Sequence, residues 1–142
     1  MILKFKTKRK KRTVQKKSVK KLENNNLKFL HLAASAAEEK KGEDILLLDV
    51  SKLTVISDYF MIITAKSTAQ IQALANNIKE QLAKNDLKLI SKEGFTDSTW
   101  VVLDFGNIIV HIMREQERNY YKLERFWSNA TVIDSKPWKK AC

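Results

Sequence analysis

The chain has 142 residues, 44% of them hydrophobic, which is one domain's worth of sequence and enough apolar material for one core. No apolar run reaches the roughly 18 residues needed to span a bilayer, and no apolar stretch followed by a small-residue cleavage site opens the chain. The single cysteine, Cys142, supplies neither a disulfide framework nor a metal cluster, so a reducing compartment is expected and secretion is not.

The formal net charge of +11 is uneven. Of the 27 Lys and Arg residues, 11 lie in residues 1–21, where there is no Asp or Glu; the remaining 16 face 16 acidic side chains. A basic arm on a neutral body is therefore expected. "KFKTKRKKRTVQKK" has too few apolar residues to offset its ordering entropy and is expected to be disordered alone. Lys8, Arg9, Lys10, Lys11 and Arg12 form its densest run, suited to RNA phosphates through counterion release. A solubilising tail is the plainer reading of the same residues.

Leu27, Leu30, Ala34 and Ala37 recur at helical spacing and predict a helix over about 27–41, with Gly42 as its stop. "DILLLDV" (44–50) and "YFMIITA" (59–65) read as strands buried on both faces. In "STAQIQALANNIKEQLAKN", Ser67 and Gln70 have capping-box spacing. Ile71, Leu74, Ala75, Ile78 and Leu82 make the inward stripe of that helix, with Asn76, Asn77, Lys79 and Glu80 facing out. The strand, helix and following strand "LKLISKEG" (87–94) suggest a right-handed crossover.

"WVVLDFGNIIVHIM" predicts a hairpin turning at Phe105–Gly106, which would pair Trp100 with His111. Alternation puts Trp100, Val102, Ile109, His111 and Met113 on one face and Val101, Leu103, Ile108, Val110 and Ile112 on the other. The second set is aliphatic and belongs under helices. The first is mixed. "REQERNYYKLERFWSN" predicts one closing helix with Tyr120, Leu123 and Trp127 on a face and Phe126 alongside; "ATVIDSKPWKKAC" reads as a tail.

Catalysis finds little support. His111 has no spaced nucleophile and acid, and Asp104 suits turn chemistry with Asn107. His31 and His111 lack partners for zinc, and three scattered glycines form neither a P-loop nor a dinucleotide fingerprint. Asp49, Asp58 and Asp104 are single acids, whereas two-metal chemistry needs clustered carboxylates. No enzyme activity, cofactor or metal is expected. The mixed face then has two readings: the closing helix covers it, or a partner does, since Trp and Met favour interface centres.

Taken together, "ISDYF", Glu93–Gly94, "WVVLDFGNIIVHIM" and "RNYYKLERFW", in that order, resemble the ribosome silencing factor (Iojap-like) family. The chain departs from the family's Gly-Thr-Ser-x-Arg-Gln-like segment with "AKSTAQ", and has Asn107 where Asp is common. The resemblance implies a single compact α/β domain over 27–133, flanked by the arm (1–26) and the tail (134–142). It implies a mixed sheet of about five strands with helices packed on it, shaped like a nucleotidyltransferase but without the catalytic motif. The implied partner is the large ribosomal subunit, through its protein fourteen, with small-subunit joining blocked sterically. The positions matching the family's interface pattern are Trp100, Asp104, Phe105, Gly106, His111 and Met113, which favours the partner reading of the mixed face. The arm would add ribosomal RNA contacts. A monomer or weak homodimer in the cytoplasm, with no membrane partner, is expected. The alternatives are a large-subunit assembly factor in a plastid or other organelle, or a nucleotidyltransferase-like enzyme.

Overall fold

The computed structural model describes residues 16–94 and 99–133, with side chains from Asn26 onward. The chain runs α1 (Lys16–Glu39), β1 (Glu43–Asp49), β2 (Tyr59–Ala65), α2 (Thr68–Lys84), β3 (Ser91–Glu93), β4 (Trp100–Asp104), β5 (Ile108–Arg114), α3 (Glu115–Tyr121), α4 (Leu123–Phe126) and β6 (Thr131–Val132). Among the described residues, six strands join one mixed sheet in the order β3-β4-β5-β2-β1-β6. β2 pairs parallel with β5, and every other neighbouring pair is antiparallel.

The centre of this sheet is the part most plainly written in residue type. β2, "YFMIITA", is buried throughout, as expected of a strand apolar on both faces. Met61 and Ile63 enter the core under α1 and α2, while Phe60 and Ile62 enter a second core on the opposite face. β1 is less enclosed than expected: Leu47 and Leu48 are buried, and the rest are not. From β2, α2 carries the chain past β5 and β4 to the edge strand β3.

α1 is longer than its apolar stripe predicts. It starts at Lys16, so residues 16–26, expected to belong to the arm, are helical; Lys8, Arg9, Lys10, Lys11 and Arg12 lie outside the described residues. Its end is a Schellman turn, in which Gly42 N–H donates to Ala37 O at 3.0 Å and Lys41 N–H to Glu38 O at 2.9 Å. Lys41, not Gly42, takes the left-handed position at φ 63. Gly42 serves packing instead, since a Cβ there would stand 2.7 Å from Ile63 Cγ2.

At the start of α2, Ser67 accepts the Gln70 N–H, as capping-box spacing predicts. Gln70 Oε1 accepts from Lys66 N–H rather than from the cap itself, and its Nε2 donates to Lys40 O and Lys41 O. One side chain thus ties the end of α1 to the beginning of α2. Asn77, expected to face out, donates to Ala36 O and Glu39 Oε1 and joins the same seam.

Two boundaries near the C-terminus differ from expectation. The predicted single closing helix breaks at Lys122, whose φ of 49 is left-handed, giving the short α3 and α4. The predicted tail supplies a sixth strand, β6, with Leu48 opposite Val132 and Asp49 opposite Thr131.

Candidate protein-docking site

The β4–β5 hairpin places the residues singled out by sequence. Phe105 N–H donates to Ile108 O, so the turn is Gly106–Asn107, one residue later than predicted. The register follows: Trp100 lies opposite Met113 and Val102 opposite His111, not Trp100 opposite His111. A shift of two in the paired numbers leaves parity unchanged, and both predicted faces are correct. Asp104 closes the turn by accepting the Gly106 N–H at 2.8 Å, an Asx turn with the Gly106 φ of 98 that a glycine tolerates. Asn107 O accepts from both Asp58 N–H and Tyr59 N–H, which fixes the tip to the head of β2.

The mixed face is not bare. Trp100 is 8% exposed and His111 fully buried; Asp104, Phe105 and Met113 are buried, and Gly106 is half-buried. Phe105 points to the opposite core, under α1 and α2. Trp100 Nε1 donates to His111 Nδ1 at 3.2 Å, and Phe60 meets the imidazole edge-on at 5.3 Å. Burial lowers the His111 pKa to about 3, so the ring is neutral and, with Nδ1 accepting, carries its proton on Nε2. Among the described residues no Ser, Cys or carboxylate hydrogen-bonds to it, and no three His, Cys, Asp or Glu stand together as a metal site.

What covers this face is the protein's own C-terminal segment, and the expectation of a face left free by the helices is corrected. Tyr121 packs on Trp100 at 4.9 Å between ring centroids, Trp127 stands on Phe60 at 5.0 Å, and Leu123 is buried between the helices and the sheet. Arg118 pins the cover: its Nη1 donates to Asp44 O and to Thr64 Oγ1, and its Nε pairs with Glu124 at 3.2 Å.

The outer side of that cover is where apolar surface remains. Tyr120 is 80% exposed and Phe126 74%, with Tyr121 partly exposed between cover and solvent. Tyr120 and Tyr121 meet edge to face at 4.9 Å and, with Gln116, Glu117 and Asn119, line a shallow hollow of about 580 Å³. The path His111–Trp100–Tyr121–Tyr120 therefore runs ring to ring from the core to the surface. Sequence reasoning put Tyr120 on the buried face of a continuous helix; the break at Lys122 takes it out of phase with Leu123 and Trp127. A second apolar projection, Ile90, lies beside the glycine bend, its Cδ1 3.3 Å from where a Gly106 Cβ would be.

Residues 23–141 match the model of a family described as "Ribosomal silencing factor during starvation". The chain is 39% identical over 110 residues to the ribosomal silencing factor RsfS of Bacillus subtilis, covering 78% of this chain and 93% of that one. It is 40% identical over 108 residues to the chloroplastic protein Iojap of Zea mays, covering 76% of this chain and 47% of that longer one. A crystal structure of a Chromobacterium violaceum protein, 34% identical, superimposes with a TM-score of 0.70 over 79% of this chain and 97% of the other. Sequence and fold thus match over most of the chain, and the chain belongs to the ribosomal silencing factor family.

Proposed function

We propose that this protein binds the large ribosomal subunit through its protein fourteen and blocks joining of the small subunit by occupying the docking surface, without turnover. The observation that carries this reading is the set of exposed aromatics on α3 and α4, Tyr120, Tyr121 and Phe126, of which Tyr121 is seated on buried Trp100. Exposed aromatic side chains on a rigid base are what interface centres use, because they lose little side-chain entropy when covered. Trp100, His111 and Met113 then act as the floor that fixes the height of the tyrosines. Asp104, Phe105 and Gly106 shape the bend beside Ile90, a second edge of the contact. Lys8, Arg9, Lys10, Lys11 and Arg12 add salt-dependent contacts to nearby ribosomal RNA.

The test is co-sedimentation of the full chain with isolated large subunits. A Tyr120→Ala/Phe126→Ala variant should fold as the parent does and bind at least about tenfold more weakly, the loss typical of truncated hot spots. A folded double variant that binds unchanged ends this reading. Similarity to a chloroplastic relative supports a second one, large-subunit assembly in an organelle. Depletion would then deplete mature large subunits rather than increase joined ones.

A further inference from the structure

We propose, resting on the docking role given to this face, that the shallow hollow beside Tyr120 and Tyr121 receives one arginine side chain of the docked protein. The hollow, about 580 Å³, is lined by Gln116, Glu117, Asn119, Tyr120 and Tyr121. Glu117 is the one charged residue in that lining, and its Oε1 is shielded from solvent with no hydrogen-bond partner among the described residues. None of the basic residues of this segment, Arg114, Arg118, Lys122 and Arg125, lines the hollow. Arg118, the nearest in sequence, is committed to Asp44 O, Thr64 Oγ1 and Glu124. Glu117 therefore holds a carboxylate that the fold itself does not pair. A shielded acceptor without a donor is costly to the free protein, and a donor brought by a partner removes that cost.

The two tyrosine rings supply the other half of the site. They stand at 87° with centroids 4.9 Å apart, and Tyr121 is held from below by Trp100. Tyr120 is largely exposed, so a face of its ring is open to a ligand in the same hollow as the Glu117 carboxylate. Aromatic faces attract cations through the ring quadrupole, over distances of up to about 6 Å from the ring centre. A guanidinium suits the pair because it is flat: it lies on a ring while its forked N–H groups reach a carboxylate. An ammonium is a point charge without that fork. The hollow is too shallow to enclose a free small molecule, which binding pockets cover over most of its surface. Its occupant is therefore delivered by a larger surface. Nucleic acid is disfavoured there, since a carboxylate with no basic neighbour in the lining repels phosphate. A basic protein surface is the occupant that size and charge leave.

The test is co-sedimentation of the full chain with isolated large subunits at about 0.1 M salt, where charges in contact still interact. Glu117→Gln keeps the shape and removes the charge. It should bind about tenfold more weakly while its urea midpoint stays at or above that of the parent, which a merely structural role would not give. Tyr120→Phe should bind as the parent does, and Tyr120→Leu should lose about as much as Glu117→Gln. Added arginine amide should release the parent more than sodium chloride of equal ionic strength, and that excess should be absent in Glu117→Gln. Lysine amide competing as well as arginine amide overturns the guanidinium assignment. Unchanged binding by a folded Glu117→Gln overturns the site, while a loss in Tyr120→Ala/Phe126→Ala still upholds the docking face. If that aromatic double variant also binds unchanged, the docking reading falls and this site with it. A dimer of the chain that Glu117→Gln dissolves, with subunit binding unchanged, puts a second copy in the hollow and overturns the docked protein as its occupant.

Discussion

Trp100 donates its indole N–H to Nδ1 of His111, although the two residues are diagonal rather than opposite on the β4–β5 ladder. The bond fixes the imidazole as a neutral acceptor inside the core, and Tyr121 rests on the same indole from above. A residue that looks catalytic on a list of side chains is here a support for an aromatic surface.

Folded, His111 stays uncharged down to about pH 3, whereas the unfolded chain takes up that proton near pH 6.5. The unfolded state binds more protons between those values, so stability from this site is complete above about pH 6.5 and falls as the pH drops towards 3. Between pH 7 and pH 5 the loss should be about 2 kcal/mol. His111→Asn keeps an acceptor for the indole and removes the titration. Urea unfolding at the two pH values should show a smaller acid loss for the variant; equal losses would remove His111 as the source.

Gly94 has a φ of 83, and a Cβ there would run into the backbone carbonyl oxygen of Trp100. Backbone cannot swing aside as a side-chain end can. Gly94→Ala should cost about 3 kcal/mol or more, a loss in the range of backbone strain plus displacement of β4, measured as a lower urea midpoint.

Arg118 is nearly enclosed and joins α3 to the bulged start of β1, to β2 and to Glu124 of α4. Arg118→Met keeps much of the stem but removes all three bonds, and of the acceptors only the Thr64 hydroxyl is buried. A loss of about 1–3 kcal/mol is expected. Hydrogen exchange should speed up first in residues 115–127, while α2 amides hold; uniform acceleration would mean the pin has no local role.

Lys41 holds a left-handed conformation that costs an L-residue about 1–2 kcal/mol and glycine almost nothing. After the extra entropy of an unfolded glycine, Lys41→Gly should stabilise the protein by about 0.5–1 kcal/mol, visible as a higher melting temperature. A lower one would show that the Lys41 side chain contributes more than its backbone costs.

The parts of this fold that could be read from sequence are those governed by local period. β2 and α2 announced themselves through unbroken apolar content and a 3.6-residue stripe between caps. The two hairpin faces survived a misplaced turn because the error was even. Lys122 gave no warning, since a lysine in the left-handed region is imposed by how Leu123 and Tyr121 must both reach the sheet side of the cover. β6 is fixed by a partner over eighty residues away, which no window along the chain contains. Burial of Trp100 and His111 was likewise invisible, because alternation shows which residues share a face and never what lies over it.

The chain passes Thr131 opposite Asp49 and Val132 opposite Leu48, so at Ile133 it is heading away from the hairpin-tip end. Asn26 of α1 sits at that same tip, bonded to Asn107. The enclosed part of α1 and the start of β6 therefore share one end of the sheet. Dyes on the exposed Lys28 and Thr131 would both mark that end, which lets it be located when the molecule sits on a large particle.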